Sequence, residues 1–156
     1  MSPGTKRIPC SQVVMLRLVI QPVLSDSRFV VMKVMLRAAD LPALMSAPDE
    51  RGVMTPLVQF VKDWNNSPDD ARATLVQSAP VGSDEKLLAT VAAIVHALAD
   101  RDGIAVPGWV NRHVVSPMSI SGIDLSSDYG KLLVQNAPPV AADHGVFFDR
   151  ELLTRH

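Results

Sequence analysis

The sequence predicts a mainly α protein: a small helical domain with short irregular C-terminal segments, preceded by an N-terminal arm that forms either a β-hairpin or a helix. Three observations carry this expectation. From Asp84 to Arg101, the residues Leu87, Leu88, Val91, Ile94, Val95 and Leu98 recur at helical spacing, the stripe an amphipathic helix buries. Thr55-Pro56 and Ser67-Pro68 each set a hydroxyl residue ahead of a proline, an arrangement that starts helices. Hydrophobic residues make up 47% and charged residues 20% of the 156 positions. That composition suits a folded chain, which at this length buries roughly 70% of its unfolded surface, and excludes a charge-rich disordered one.

Residues 1–45 read as a basic, apolar arm and residues 46–156 as an acidic helical domain; the polar, turn-rich run from Ser46 to Gly52 lies at their junction. In the arm, Gln12 to Ile20 and Phe29 to Leu36 are rich in Val, Ile and Met and flank a loop from Gln21 to Arg28. They suit a hairpin, although Val30 to Ala39 alternates poorly enough to suit a helix equally. Asp40-Leu41-Pro42 starts a short helix that runs to Met45. In the domain, Leu57, Phe60, Val61 and Trp64 form one face of a helix ended by Asn65-Asn66. Ser67 then caps a second helix with Asp69 and Asp70 in its first turn; Ala71, Leu75 and Ser78 face inward and Pro80 closes it. Ser83 caps the long helix at the centre of the core, and Gly103 follows its end, where a left-handed residue costs least. Beyond Ile104 come a rigid Pro107-Gly108-Trp109 turn and an irregular stretch over 114–127. A helix over Asp128 to Asn136 uses Tyr129, Leu132 and Leu133, and Pro138-Pro139 stops it. A short strand at Gly145 to Phe148 precedes a last helical turn, Arg150 to Thr154, capped by Asp149.

The search for chemistry yields little. The single cysteine, Cys10, forms no internal disulfide or CxxC pair. None of His96, His113, His144 and His156 has metal-ligand spacing to another His, Cys or acid, so no metal or cofactor is expected. Asp100-Arg101-Asp102-Gly103 fails as a calcium loop, because the first and twelfth ligand positions fall on Leu98 and Trp109; a helix C-terminus with its glycine explains the same residues. No GxGxxG or GxxxxGK[ST] cradles phosphate. The apolar run from Val13 to Leu24 is broken by Arg17, Gln21 and Pro22, too short for a bilayer that needs about 20 apolar residues. A cytoplasmic protein without a membrane partner is the expectation. Trp109, Phe147 and Phe148 form either a second core patch or an exposed partner-binding patch. Asp143, His144 and Asp149 are the densest acid–imidazole cluster, the pairing a general base needs.

Certain short motifs carry a resemblance: the helix Leu87 to Gly103, the Pro107-Gly108-Trp109 turn, Asn136-Ala137-Pro138-Pro139-Val140, His144-Gly145-Val146-Phe147-Phe148 and Leu152. Through them, residues of about 40–156 resemble the C-terminal region of actinobacterial XRE-type regulators and antitoxin-like proteins. The chain departs from that pattern where Ala141-Ala142-Asp143-His144 replaces a basic run before the glycine. The resemblance implies a non-catalytic regulatory or interaction protein, antitoxin-like, whose partner is a protein such as a toxin encoded by a neighbouring gene.

The formal net charge of −1 hides a division. Residues 1–37 carry Lys6, Arg7, Arg17, Arg28, Lys33 and Arg37 against Asp26, which is +5, whereas residues 38–156 carry nine basic against fifteen acidic residues, which is −6. The acidic domain suits a basic partner surface. The arm's Arg17, Arg28, Lys33 and Arg37 are the candidates for DNA contact, the alternative reading as a nucleic-acid-binding regulator. A small enzyme using His144 with Asp143 or Asp149 is the second alternative.

Overall fold

The structure, a computed structural model, describes residues 19–26, 29–46, 52 and 54–156, with side chains described from Met35 onward. The expected hairpin forms: β1 (Val19–Asp26) pairs antiparallel with β2 (Phe29–Met35), Val19 opposite Met35 and Leu24 opposite Val30. This replaces the helix alternative for Val30 to Ala39. It also corrects the strand boundary, because Gln21 to Asp26, expected as loop, belong to β1, while residues 12–18 lie outside the described residues. Pro22 sits within β1 opposite Met32; a two-stranded ribbon leaves each strand an unpaired edge, where proline is tolerated.

The hairpin leads directly into the helical core. The Asp63 carboxylate accepts hydrogen bonds from the backbone N–H of Leu36 at 3.0 Å and the Gln59 side-chain amide at 3.0 Å. A 3-10 turn, Ala38–Asp40, continues into α1 (Leu41–Ser46). Met35, Ala38, Leu41 and Met45 are buried in one cluster with Leu57, Phe60 and Val61. The core therefore crosses the division expected at residue 45: Met35 to Ser46 belong with the helices, since their apolar side chains have no other place to leave water.

Helix α2 (Thr55–Asn65) buries Leu57, Phe60, Val61 and Trp64, the face read from the sequence. Helix α3 (Asp69–Leu75) buries Leu75. Pro68 and not Ser67 takes its N-cap position, because the buried Ser67 hydroxyl donates back to the Asp63 carbonyl of the preceding helix. Ser78, expected to face inward, is exposed.

Helix α4 (Glu85–Asp102) is the centre of the core. It is buried nearly all round from Leu88 to Ala99, with His96 half-buried. The predicted stripe accounts for one side. Ala89, Ala92, Ala93, Ala97 and Ala99 make the others, where small side chains let neighbours approach. Each fully buried Leu or Ile contributes about 1.5–3 kcal/mol. The cap lies one residue from expectation: the Asp84 carboxylate, not Ser83, accepts from the N–H groups of Lys86 at 3.0 Å and Leu87 at 3.3 Å. Gly103 ends the helix at φ 69°, as expected. There the Asp102 carboxylate takes hydrogen bonds from the Trp64 indole N–H at 2.6 Å and Arg101 at 2.7 Å, with Arg72 at 3.5 Å. This ties the ends of α2, α3 and α4 together.

The C-terminal half wraps α4. A 3-10 turn at Gly108–Arg112 packs on it, and β3 (Met118–Ser119), which the sequence reading left irregular, runs parallel to β4 (Val146–Phe147). Helix α5 (Asp128–Asn136) has the bounds expected from sequence, capped by the Ser127 hydroxyl, which accepts from Gly130 N–H at 3.0 Å. Its buried face differs: Gly130 and Leu133 point in, whereas Tyr129 is 57% and Leu132 55% exposed. Gly130 sets that orientation, because a Cβ there would lie 2.1 Å from the Asp124 carbonyl oxygen. Pro138 both ends α5 and caps a short helix, α6 (Pro139–Ala142). The last turn, Arg150–Thr154, is a 3-10 turn capped by Asp149 through Glu151 N–H at 2.9 Å.

Candidate functional site

A cleft of about 620 Å³ opens beside the N-terminus of α4. The helix supplies Leu87 and Thr90, α1 supplies Met45, and Met54 comes from the residue before α2. The opposite wall is the stretch Pro117 to Leu125, with Met118, Ile120, Ile123 and Leu125. Met54, Leu87, Met118, Ile120, Ile123 and Leu125 are each only half-buried. These apolar side chains are packed on one side and still wet on the other. Three of the lining residues are methionines, whose unbranched, polarizable side chains adapt to differently shaped partners.

The lip of the cleft is more acidic than basic: Asp84 and Asp124 line it against Lys86. Both carboxylates are fixed by the backbone. Asp84 caps α4, and Asp124 accepts from the Ser126 backbone N–H at 2.9 Å and its hydroxyl at 2.7 Å. The Ser126 backbone bond, followed by the hydroxyl, holds the Asp124 carboxyl below its ordinary range. It stays an anion at neutral pH. Among the described residues no group of three or more His, Cys, Asp or Glu is arranged to hold a metal ion.

The sequence-predicted site residues fall elsewhere. Trp109 is 7% exposed, with its indole N–H donating to the Val76 carbonyl at 2.9 Å, and Phe148 is 4% exposed. Both belong to the main core cluster, and Phe147 beside them is half-buried. Of the two readings of Trp109, Phe147 and Phe148, the structure therefore favours the core patch over the partner-binding one, because two of the three rings have almost no free surface to offer. Nor does the structure bring Asp143 or Asp149 onto His144, as the enzyme alternative requires. His144 is 2% exposed, and neither Asp143 nor Asp149 bonds to it; Asp143 is exposed and the Asp149 carboxylate caps the last turn. The His144 ring is held instead by the backbone oxygen of His113, 2.7 Å from Nδ1, and by Nδ1 of His96, 2.9 Å from Nε2.

Of the proposed nucleic-acid contacts, Arg17 and Arg28 lie outside the described residues, and for Lys33 the backbone alone is described, in β2 opposite Gln21. Arg37 is half-buried, with its Nε enclosed, just before the 3-10 turn at Ala38. The structure thus does not gather these four into a described basic face. No helix among the described residues is long and apolar enough to cross a membrane.

Sequence reasoning missed the cleft because its walls come from four separate segments. One signal was present: Met118, Ile120, Ile123 and Leu125 are apolar residues in an irregular stretch with no periodic face to hide them. Comparison of the chain with protein-family models, with curated proteins and with solved structures gives no match.

Proposed function

We propose that this chain is a non-catalytic interaction protein, antitoxin-like in acting by covering a protein partner, and that the cleft beside α4 receives the partner's apolar side chains. The observation that carries this reading is the row of half-buried apolar residues across the cleft, above all Leu87, Met118 and Ile120. Completing their burial releases roughly 25 cal/mol for each Å² of apolar surface removed from water. The acidic balance of residues 38–156, −6 by sequence, favours a partner with basic residues beside its apolar ones and speeds their encounter. The resemblance of residues 40–156 to antitoxin-like proteins supports the same class of function.

The test is co-expression with the product of the neighbouring gene, followed by affinity capture of the full chain and of Leu87→Asp and Met118→Glu variants. Wild type should retain the partner and the variants should lose it, with circular dichroism and melting temperature showing that they still fold. Failure of the wild type to retain that product, or equal capture by the cleft variants, would reject the reading.

A further inference from the structure

The clasp between His96 and His144 has a defined direction. A carbonyl oxygen only accepts, so Nδ1 of His144, 2.7 Å from the His113 oxygen, must carry a hydrogen. In the neutral ring Nε2 of His144 then presents a lone pair, so Nδ1 of His96, 2.9 Å away, must donate. The two rings meet edge-on, with centroids 5.2 Å apart at 78°. Of the four ring nitrogens, Nε2 of His96 alone keeps an unused lone pair, and one proton can be added there without losing a bond. A second, on Nε2 of His144, would set two N–H groups head to head where His144 is 2% exposed. Neither hydrogen would have an acceptor, and two like charges this close would repel.

The backbone around His144 makes this contact consequential. Val115 N–H donates to the His144 carbonyl at 3.0 Å, Met118 N–H to Gly145 at 2.8 Å and Ile120 N–H to Phe147 at 3.2 Å. The stretch 144–147 therefore binds the stretch 115–120 through three backbone hydrogen bonds, and the His96–His144 contact joins the packing of Ala141, Val146 and Phe148 in seating it on α4.

We propose that the His96–His144 clasp is an acid-released latch: alongside the apolar packing of Ala141, Val146 and Phe148, it seats the stretch 144–147, and with it β3, against α4 while Nε2 of His144 accepts from His96, and it opens when a hydrogen on that Nε2 faces the His96 N–H. The charged groups acting on His96 are Asp100, on α4 itself, and Asp143, from the turn after α6. The His113 side chain points to Glu85, 3.9 Å away, while Arg101 and Arg150 are bonded to Asp102 and to the Asn136 carbonyl. Burial, and then the charge of His144, hold His96 below its ordinary value of 6.5, with the two aspartates pulling the other way. That shift disfavours the charged form of His96 in the folded chain, a stability contribution present above the ordinary value and lost as pH falls through the folded one; the clasp itself is broken by a hydrogen on Nε2 of His144 and not by this step. The hydrogen-bonded geometry, with His144 accepting from His96, is the closed latch. Because Met118 and Ile120 line the cleft, opening it removes one wall of that cleft; the latch itself does not depend on what the cleft binds.

Hydrogen exchange of the full chain, corrected for intrinsic rates, tests the latch alone. Between about pH 7.5 and about pH 5, protection of the Val115, Met118 and Ile120 amides should fall at least about tenfold more than that of the Ile94 and Leu98 amides in α4. In His96→Gln the side-chain amide can donate to His144 when it is neutral and flip to accept when it is charged, so the acid step should vanish. Nitrogen NMR of wild type at neutral pH should show His144 with its hydrogen on Nδ1. An unchanged protection pattern, a loss shared equally by α4, the same acid step in His96→Gln, or a hydrogen on Nε2 of His144 would each overturn the proposal. The wild-type exchange profile and the tautomer remain decisive if His96→Gln fails to fold.

Discussion

Replacing Trp109 separates a core role from a partner-binding one. Its ring is 7% exposed, and its N–H reaches the buried Val76 carbonyl at 2.9 Å. Trp109→Ala removes the ring and leaves a cavity, a change that costs about 3–5 kcal/mol in well-packed cores. Trp109→Phe keeps most of the apolar contact but strands the carbonyl, which costs about 1–3 kcal/mol. At about 2–4 °C per kcal/mol for a chain of this length, the alanine variant should melt about 6–20 °C lower and the phenylalanine variant about 2–12 °C lower. Urea and thermal denaturation followed by circular dichroism measure both. An alanine variant within about 0.5 kcal/mol of wild type would refute the core assignment, since only surface positions tolerate truncation so cheaply. Losing partner capture at that unchanged stability would restore the exposed-anchor reading.

Five further substitutions probe the fold and its charges. Gly145→Ala places a Cβ 1.9 Å from the Val115 carbonyl oxygen at φ 79°, whereas Gly103→Ala meets nothing within 4 Å at φ 69°; the first should cost several times the roughly 1–2 kcal/mol of left-handed strain expected for the second, and equal costs by urea denaturation would contradict the packing of β4 on Val115. Leu133→Ala should lose about 2–5 kcal/mol and Leu132→Ala less than about 0.5 kcal/mol, and a reversed order would show that α5 is turned the other way. The Arg101 hydrogen bond, opposed by burial and aided by Trp64, lowers Asp102 from its ordinary value of 3.8. Its stabilisation is therefore present above that value and lost as pH falls through the folded one. The stability gap between wild type and Asp102→Asn should close in acid; a gap independent of pH would remove the ion-pair account.

The legible part of this fold is the part governed by short-range rules. The α4 stripe, its glycine stop, the bounds of α5 and the Asp149 cap each depend on residues within a turn or two of one another, and the chain displays them directly. Errors of one residue, such as Ser83 for Asp84 at the α4 cap, arise where two neighbouring side chains can both cap and the path of the preceding chain decides. Larger errors arise where distant chain decides. Ser67 abandons the α3 cap because the Asp63 carbonyl lies behind it. The α5 face is chosen by the fit of Gly130 against Asp124, not by the apolar count, which favoured Tyr129 and Leu132.

The same reasoning explains why the candidate site was the hardest part to read. A cleft wall must stay partly wet to bind anything, so its residues show neither the clean periodicity of a buried face nor the polarity of a free surface. Met118, Ile120, Ile123 and Leu125 are of this kind. The histidine clasp joins positions 48 residues apart, and its signal in the sequence was an imidazole set on the flank of an otherwise apolar helix. A half-buried histidine needs a partner for Nδ1 more than it needs a charge. On this chain the partner is another histidine, and the backbone carbonyl behind that histidine fixes the direction of both.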